Sequence, residues 1–176
     1  DKLMINGLVK LGIDPADSRG YGIVGCYESS AIGEIPCSCA AKLSLQKALE
    51  ATLYAGKDKM SGLTIGLEQN PDCKTFDEFY QMFLNNLRLM IENTITLTNG
   101  FESIYPIVHA SPFMSAALEH CVQKCGDAYV DYAAKYNNTS INLIGLATVT
   151  DSLYAIKKLV FDDQWATLDK FTQMLS

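Results

Sequence analysis

Apolar residues recur at helical spacing through much of the chain, with two short extended runs between them. From about Ser38 to Ala55, Ala41, Leu45, Ala48, Leu49, Thr52 and Leu53 form one stripe that Gly56 is placed to end. Residues 57–74 are polar and glycine-bearing and read as loop. Thr75-Phe76-Asp77-Glu78 fits a capping box. The helix it opens is carried by Phe79, Met82, Phe83, Leu87, Met90, Ile91, Ile95 and Leu97 until Asn99-Gly100. A further helix is predicted over Phe113 to Lys124, ending near Gly126. Ile141 to Val149, with Gly145 inside, reads as a buried strand or loop running into a helix from Asp151, its N-cap, to Val160. A last helix is predicted near Thr167 to Leu175. At the other end, residues 1–19 show a short apolar segment, Leu8-Val9-Lys10-Leu11, and a turn-rich Asp14-Pro15-Ala16-Asp17-Ser18. Ile23 and Val24, β-branched and bounded by glycines, predict a short buried strand that stops at Gly25. Trp165, Phe76, Phe79 and Phe83 are expected core anchors.

Composition narrows the class. The chain has 176 residues, 48% of them hydrophobic and 19% charged, which suits one globular domain with a sizeable core. A net charge of −6 with no basic block argues against nucleic acid or an anionic membrane as the main partner. The apolar runs are too short and too interrupted to span a bilayer, and no signal-peptide pattern opens the chain. A soluble, cytoplasmic protein is therefore expected, with its six cysteines reduced. The start at Asp1 suggests a fragment, a processed chain or an excised segment.

The candidate chemistry sits at Cys26 and Glu28. In one extended segment, residues i and i+2 face the same way, so the thiol and the carboxylate are expected to address one small molecule together. The competing reading is a buried structural cysteine. Cys37-Ser38-Cys39 and the i, i+4 pair Cys121 and Cys125 are possible metal ligands, but neither pair completes a ligand signature. His109 and His120 read as structural. Tyr136 and Asn137 either border a substrate pocket or form a polar helix-entry turn. Asn138-Thr139-Ser140 matches a glycosylation acceptor pattern, which carries no weight in a cytoplasmic protein.

Two blocks taken together carry a resemblance: Tyr21-Gly22-Ile23-Val24-Gly25-Cys26, and the stretch from Lys135-Tyr136-Asn137 through Gly145-Leu146-Ala147 to Phe161. They resemble the C-terminal part of the glycyl radical enzyme superfamily, the pyruvate formate-lyase-like proteins, over nearly the whole chain. The resemblance implies a helix-rich α/β fold that is part of a ten-stranded α/β barrel, with residues 1–176 forming a single segment of that barrel domain. It implies that Cys26 gives its hydrogen atom to a protein glycyl radical and, as a thiyl, abstracts hydrogen from a small-molecule substrate. Glu28 matches the base of the dehydratase and lyase branch. No cofactor is expected on this segment. The glycyl radical lies outside it and is installed by an activating enzyme that uses S-adenosylmethionine and an iron–sulfur cluster. A homodimer and an anaerobic setting are also implied.

Departures from the family pattern bear on the substrate. Position 25 is Gly, where pyruvate formate-lyase has the first of two adjacent cysteines, which disfavours acyl transfer from pyruvate. Ser29 and Ser30 stand where proline is common in diol and choline lyases, and Tyr27 is larger than the usual aliphatic residue. An arylacetate decarboxylase-like or formate acetyltransferase-like member remains an alternative, as does a noncatalytic domain that keeps the scaffold. No Arg-Val-Ser-Gly-Tyr-like motif occurs in the sequence, so the segment is not expected to turn over by itself. Apolar surfaces are expected to be exposed, giving either an oligomer or helices that cover the strand edge at Ile23 and Val24.

Overall fold

A computed structural model of the chain describes residues 1–25, 28–36, 39–130 and 133–175. The chain opens with α1 (Lys2–Lys10) and α2 (Pro15–Arg19), then β1 (Tyr21–Val24), β2 (Glu28–Ala31) and β3 (Cys39–Ser44). Helices α3 (Leu45–Leu53) and α4 (Phe76–Glu102) follow, then the short α5 (Tyr105–Val108), α6 (Pro112–Ala116) and α7 (Glu119–Lys124). Strand β4 (Ser140–Ile144), α8 (Leu146–Ile156), a π-helical segment (Lys157–Asp162) and α9 (Leu168–Met174) complete a helix-rich α/β order. The chain divides into two compact units, Asp1–Ala40 with Leu97–Ser140 and Ala41–Thr96 with Ile141–Ser176.

In the second unit the helix predicted from Ser38 begins only at Leu45, because residues 39–44 form strand β3, which pairs with β4. The Ser44 hydroxyl accepts a hydrogen bond from the Lys47 amide at 3.4 Å and so starts the helix there, while the strand's backbone groups find partners in the ladder. Ser38 lies outside the described residues. The capping box is present as expected: the Glu78 amide donates to Thr75 Oγ1 and the Thr75 amide to Glu78 Oε2, both at 3.3 Å. Phe79 and Phe83 are buried among Leu45, Leu49, Ile156 and Val160. Phe161 meets Phe76 edge-on at 6.0 Å and Phe79 at 6.2 Å. Trp165, an expected anchor, is instead 64% exposed. The left-handed turn at Gln164 follows the π segment, and Leu168 enters the core in the tryptophan's place.

Helix α8 starts at Leu146 and not at Asp151, which is exposed inside it. Its cap is Gly145, whose φ of +86° is left-handed and where any Cβ would overlap the Gln46 side chain. Leu143 and Ile144 are exposed, so β4 is not the buried strand expected. Residues 57–74 hold no helix and are fixed by Asn86, which is buried on α4. Its Oδ1 accepts from the Leu67 amide at 2.7 Å, and its Nδ2 donates to Thr52 Oγ1 at 3.1 Å.

In the first unit the apolar segment and turn expected over residues 1–19 are two capped helices. Asp1 accepts from the Leu3 amide at 2.7 Å, and Asp14 from the Ala16 amide at 2.7 Å with Pro15 in the first turn. Leu8, Ile13 and Ala31 form a small core beneath them. Helix α4 passes through Asn99-Gly100 to Glu102, since Gly100 does not take the left-handed conformation that ends helices. The helix predicted over Phe113 to Lys124 is two, α6 and α7, parted where Leu118 turns extended and buries its side chain with Cys121, Ala128, Ala133 and Ala134. Cys125, with φ of +50°, caps α7 in place of Gly126. Exposed apolar side chains are present as expected, Phe113 at 93% and Met60 at 92% among them, and Ile23 of β1 stays 56% exposed. Among the described residues no helix is long and apolar enough to cross a membrane.

Candidate active site

Strands β1 and β2 form an antiparallel hairpin in which Tyr21 faces Ala31, Ile23 faces Ser29 and Val24 faces Glu28. Of the extended segment expected to carry Cys26 and Glu28, the described residues hold Glu28 at the start of β2. The chain reverses between Val24 and Glu28, and Glu28 opens the second strand. Cys26 and Tyr27 lie outside the described residues. Gly25 leaves β1 with φ of +64°, and a Cβ built on it would stand 2.8 Å from Glu28 Oε2. A hydrogen at position 25 is thus what leaves room for the carboxylate.

Glu28 lines a cavity of about 980 Å³ in the first unit, together with Ser29 and Ser30 of β2. Asn99, Glu102 and Ser103 at the end of α4 form another wall, and Asn137, Asn138, Thr139 and Ser140 a third. Leu8, Leu11, Ile35, Pro36 and Val130 supply the apolar side. The Thr139 hydroxyl donates to Glu102 Oε1. The described lining thus carries two carboxylates and no Lys, Arg or His.

Of the two residues expected to border a pocket, Asn137 lines this cavity and Tyr136 has another task. Its hydroxyl accepts from the Asp14 amide at 3.0 Å and donates to Asp17 Oδ2 at 2.7 Å. The Lys135 ammonium, 2.7 Å from the same oxygen, and then the Tyr136 hydroxyl hold the Asp17 carboxyl below the usual carboxylate range. Lys135 is raised in turn, chiefly by that contact.

The other candidates take structural places. His109 caps α5, and His120 Nδ1 lies 3.3 Å from Glu34 Oε2 without the alignment of a hydrogen bond. Cys121 is buried, and burial pushes its thiol up. Cys125 is exposed in its left-handed cap, so the helical i, i+4 spacing expected for the pair is broken. Both border a smaller cavity of about 370 Å³. Cys37 lies outside the described residues. Among the described residues, no three potential metal ligands come together. Glu102 falls outside every element the sequence predicts, because Asn99-Gly100 reads as the end of a helix that continues to Glu102.

The fold of this helix-rich α/β segment is shared with known enzymes. The structure of the B12-independent glycerol dehydratase from Clostridium butyricum in its glycerol-bound form is similar with a TM-score of 0.85 and 29% identity, over 99% of this chain and 22% of that one. The trans-4-hydroxy-L-proline dehydratase of Clostridioides difficile is 30% identical over 98% of this chain and 22% of its own length. The (2S)-3-sulfopropanediol dehydratase of Klebsiella oxytoca is 28% identical over 93% and 20%. These relatives are glycyl radical dehydratases. The chain belongs to the pyruvate formate lyase-like family, which it matches over residues 1–176. It spans about a fifth of the length of these relatives, from 20% to 22%.

Proposed function

We propose that residues 1–176 form one segment of the barrel of a glycyl radical dehydratase or lyase and carry its hydrogen-transfer cysteine, Cys26, and its general base, Glu28. The observation that supports this most is Glu28 on the wall of a cavity of small-molecule size, with Gly25 clearing the space beside its carboxylate. A protein glycyl radical outside this segment, installed by an activating enzyme that uses S-adenosylmethionine and an iron–sulfur cluster, supplies the initial abstraction of hydrogen from the Cys26 thiol. The working enzyme is a homodimer in this reading.

The remaining steps belong to the two side chains. The Cys26 sulfur takes a hydrogen atom from the substrate carbon that bears a hydroxyl, which restores S–H and leaves the unpaired electron on carbon. Glu28 takes the proton of that hydroxyl, as a base within hydrogen-bond reach can. The neighbouring C–O bond then breaks, its electron pair leaves with oxygen, and the proton held on Glu28 completes a water molecule. The product radical regains hydrogen from the Cys26 thiol. One water is lost, a carbonyl is formed, and no outside oxidant or reductant is needed.

The carboxylates, amides and hydroxyls in the lining favour a hydroxylated substrate over an aromatic acid, since Tyr129 is the one aromatic side chain among the described lining residues. The test is turnover by the full-length enzyme that carries this segment, activated under strict anaerobiosis. Cys26→Ala should abolish turnover. Glu28→Gln should keep the glycyl radical signal and lose turnover. Wild-type rates in either variant would sink the assignment of that residue.

A further inference from the structure

We infer that Tyr136 is a positioning residue: it ties the cavity wall at residues 137–140 to the strand that carries Glu28, and so sets where that wall stands against the base. The inference rests on the reading of Glu28 as the base of this cavity. Residues 136–139 form no helix or strand, so a wall built from them has no ladder of its own and needs anchors. Tyr136 supplies them from backbone and side chain. Its amide donates to the Glu34 carbonyl at 3.2 Å, just beyond the end of β2. Its ring packs on Leu8, Ile13 and Ala31, and Ala31 is the last residue of the strand that Glu28 begins. Its hydroxyl accepts from the Asp14 amide at 3.0 Å and donates to Asp17 Oδ2 at 2.7 Å, which pins the far end of the ring to α2.

Phenylalanine would satisfy the packing alone. The hydroxyl adds direction, because it both accepts and donates, and its donor bond goes to a carboxylate. Bonds to an ionised partner are shorter and stronger than neutral ones. Lys135 grips the same Asp17 oxygen at 2.7 Å, so two consecutive residues clamp one carboxylate and the chain passes straight from the clamp into Asn137. The wall therefore starts from a fixed point. Removing the hydroxyl exposes the Asp14 amide to water, which can take over its bond, so the fold is kept while the wall's placement is lost.

Two measurements on the full-length enzyme test this. The amide of residue 136, held on the Glu34 carbonyl, should exchange with deuterium about tenfold faster in Tyr136→Phe, the loss expected for one hydrogen bond to a charged group. The amides of the β1–β2 ladder should keep their rates. In the activated enzyme, with glycerol or trans-4-hydroxy-L-proline as the probe, whichever the wild type turns over faster, Tyr136→Phe should lower kcat per glycyl radical about 10- to 100-fold, the scale of a misplacement of about 1 Å. Asp17→Asn keeps an oxygen that accepts the tyrosine hydroxyl and should stay within about threefold of wild type. Asp17→Ala should fall as Tyr136→Phe does, and it breaks the same bond without touching the ring if Tyr136→Phe folds poorly. The double variant should lose no more than either single one. A merely structural role would lower the yield of radical-bearing enzyme and leave kcat per radical at the wild-type value, as is expected of Asn86→Ala, which weakens the other unit. Wild-type kcat per radical or an unchanged exchange rate in Tyr136→Phe, or an equal fall in Asn86→Ala, would overturn the inference. Glu28→Gln separates the two readings. If it abolishes turnover while Tyr136→Phe keeps wild-type kcat, only the positioning role falls. If Glu28→Gln leaves turnover intact, the base assignment falls.

Discussion

Replacing Gly25 with alanine tests whether the hairpin turn is shaped around Glu28. The new Cβ would stand 2.8 Å from Glu28 Oε2, where ordinary contact begins at 3.4 Å, so the carboxylate must move by the difference, 0.6 Å. The backbone adds its own cost, because φ at this position is +64° and a non-glycine residue in the left-handed region is destabilised by about 1–2 kcal/mol. Proton transfer is sensitive to such shifts, and a misplacement of about 1 Å at a reacting centre lowers the rate about 100-fold. Gly25→Ala should therefore lower kcat about 10- to 100-fold in the activated full-length enzyme, with radical yield unchanged by electron paramagnetic resonance. The double variant Gly25→Ala/Glu28→Asp is the critical control, since removing one methylene retracts the carboxylate from the new methyl. Its loss should be smaller than the product of the two single losses, a coupling that a double-mutant cycle measures. Wild-type kcat in Gly25→Ala, or strictly multiplicative losses, would refute the proposed contact.

Further expectations concern stability. Asn86→Ala leaves the Leu67 amide and the Thr52 hydroxyl without their buried partner and should cost about 2–4 kcal/mol in urea unfolding; a loss within experimental error would mean that the 57–74 loop is held otherwise. Gly145→Ala combines a φ of +86° with overlap on Gln46 and should cost more than about 2 kcal/mol, whereas Gly33→Ala, with no atom within 4 Å of the added carbon, should cost only the backbone term. The Lys47 ammonium, then the Ser61 hydroxyl and amide, hold the Asp58 carboxyl below the usual carboxylate range. A depressed folded pKa means that this stabilisation is complete above the unfolded value of about 4 and is lost as pH falls through the folded one. The midpoint of thermal unfolding should thus drop below pH ~4, and Asp58→Asn should flatten that drop; identical acid profiles would remove Asp58 from the account.

Elements governed by local chemistry could be read from the chain. The reciprocal bonds of Thr75 and Glu78 depend only on residues three apart, and the Phe79 and Phe83 stripe is local periodicity, so both are found as expected. Thr167 likewise caps the last helix through the Lys170 amide. What failed depends on distant partners. Residues 39–44 have helix-forming alanines and a stripe continuous with α3, yet β4 draws them into a ladder. Trp165 has the apolar area of an anchor, but the widened turn over Lys157–Asp162 places Phe161 in the core and leaves the tryptophan outside. At the candidate site, Glu28 was legible through its motif. Glu102 has no motif, and reaches the cavity because α4 does not stop at a glycine that sequence alone marks as a breaker.

The register of the hairpin, with Val24 directly opposite Glu28, makes the three residues between them a ruler. Side chains alternate faces along a strand, so a one-residue slip of β2 against β1 would turn Glu28 to the opposite face of the hairpin. Substitutions within the interval leave the measure unchanged; a change of length does not. Substitutions at Gly25 or Cys26 would therefore act through the space and chemistry they remove, whereas a change in the number of residues between Val24 and Glu28 would act through the pairing of the whole hairpin.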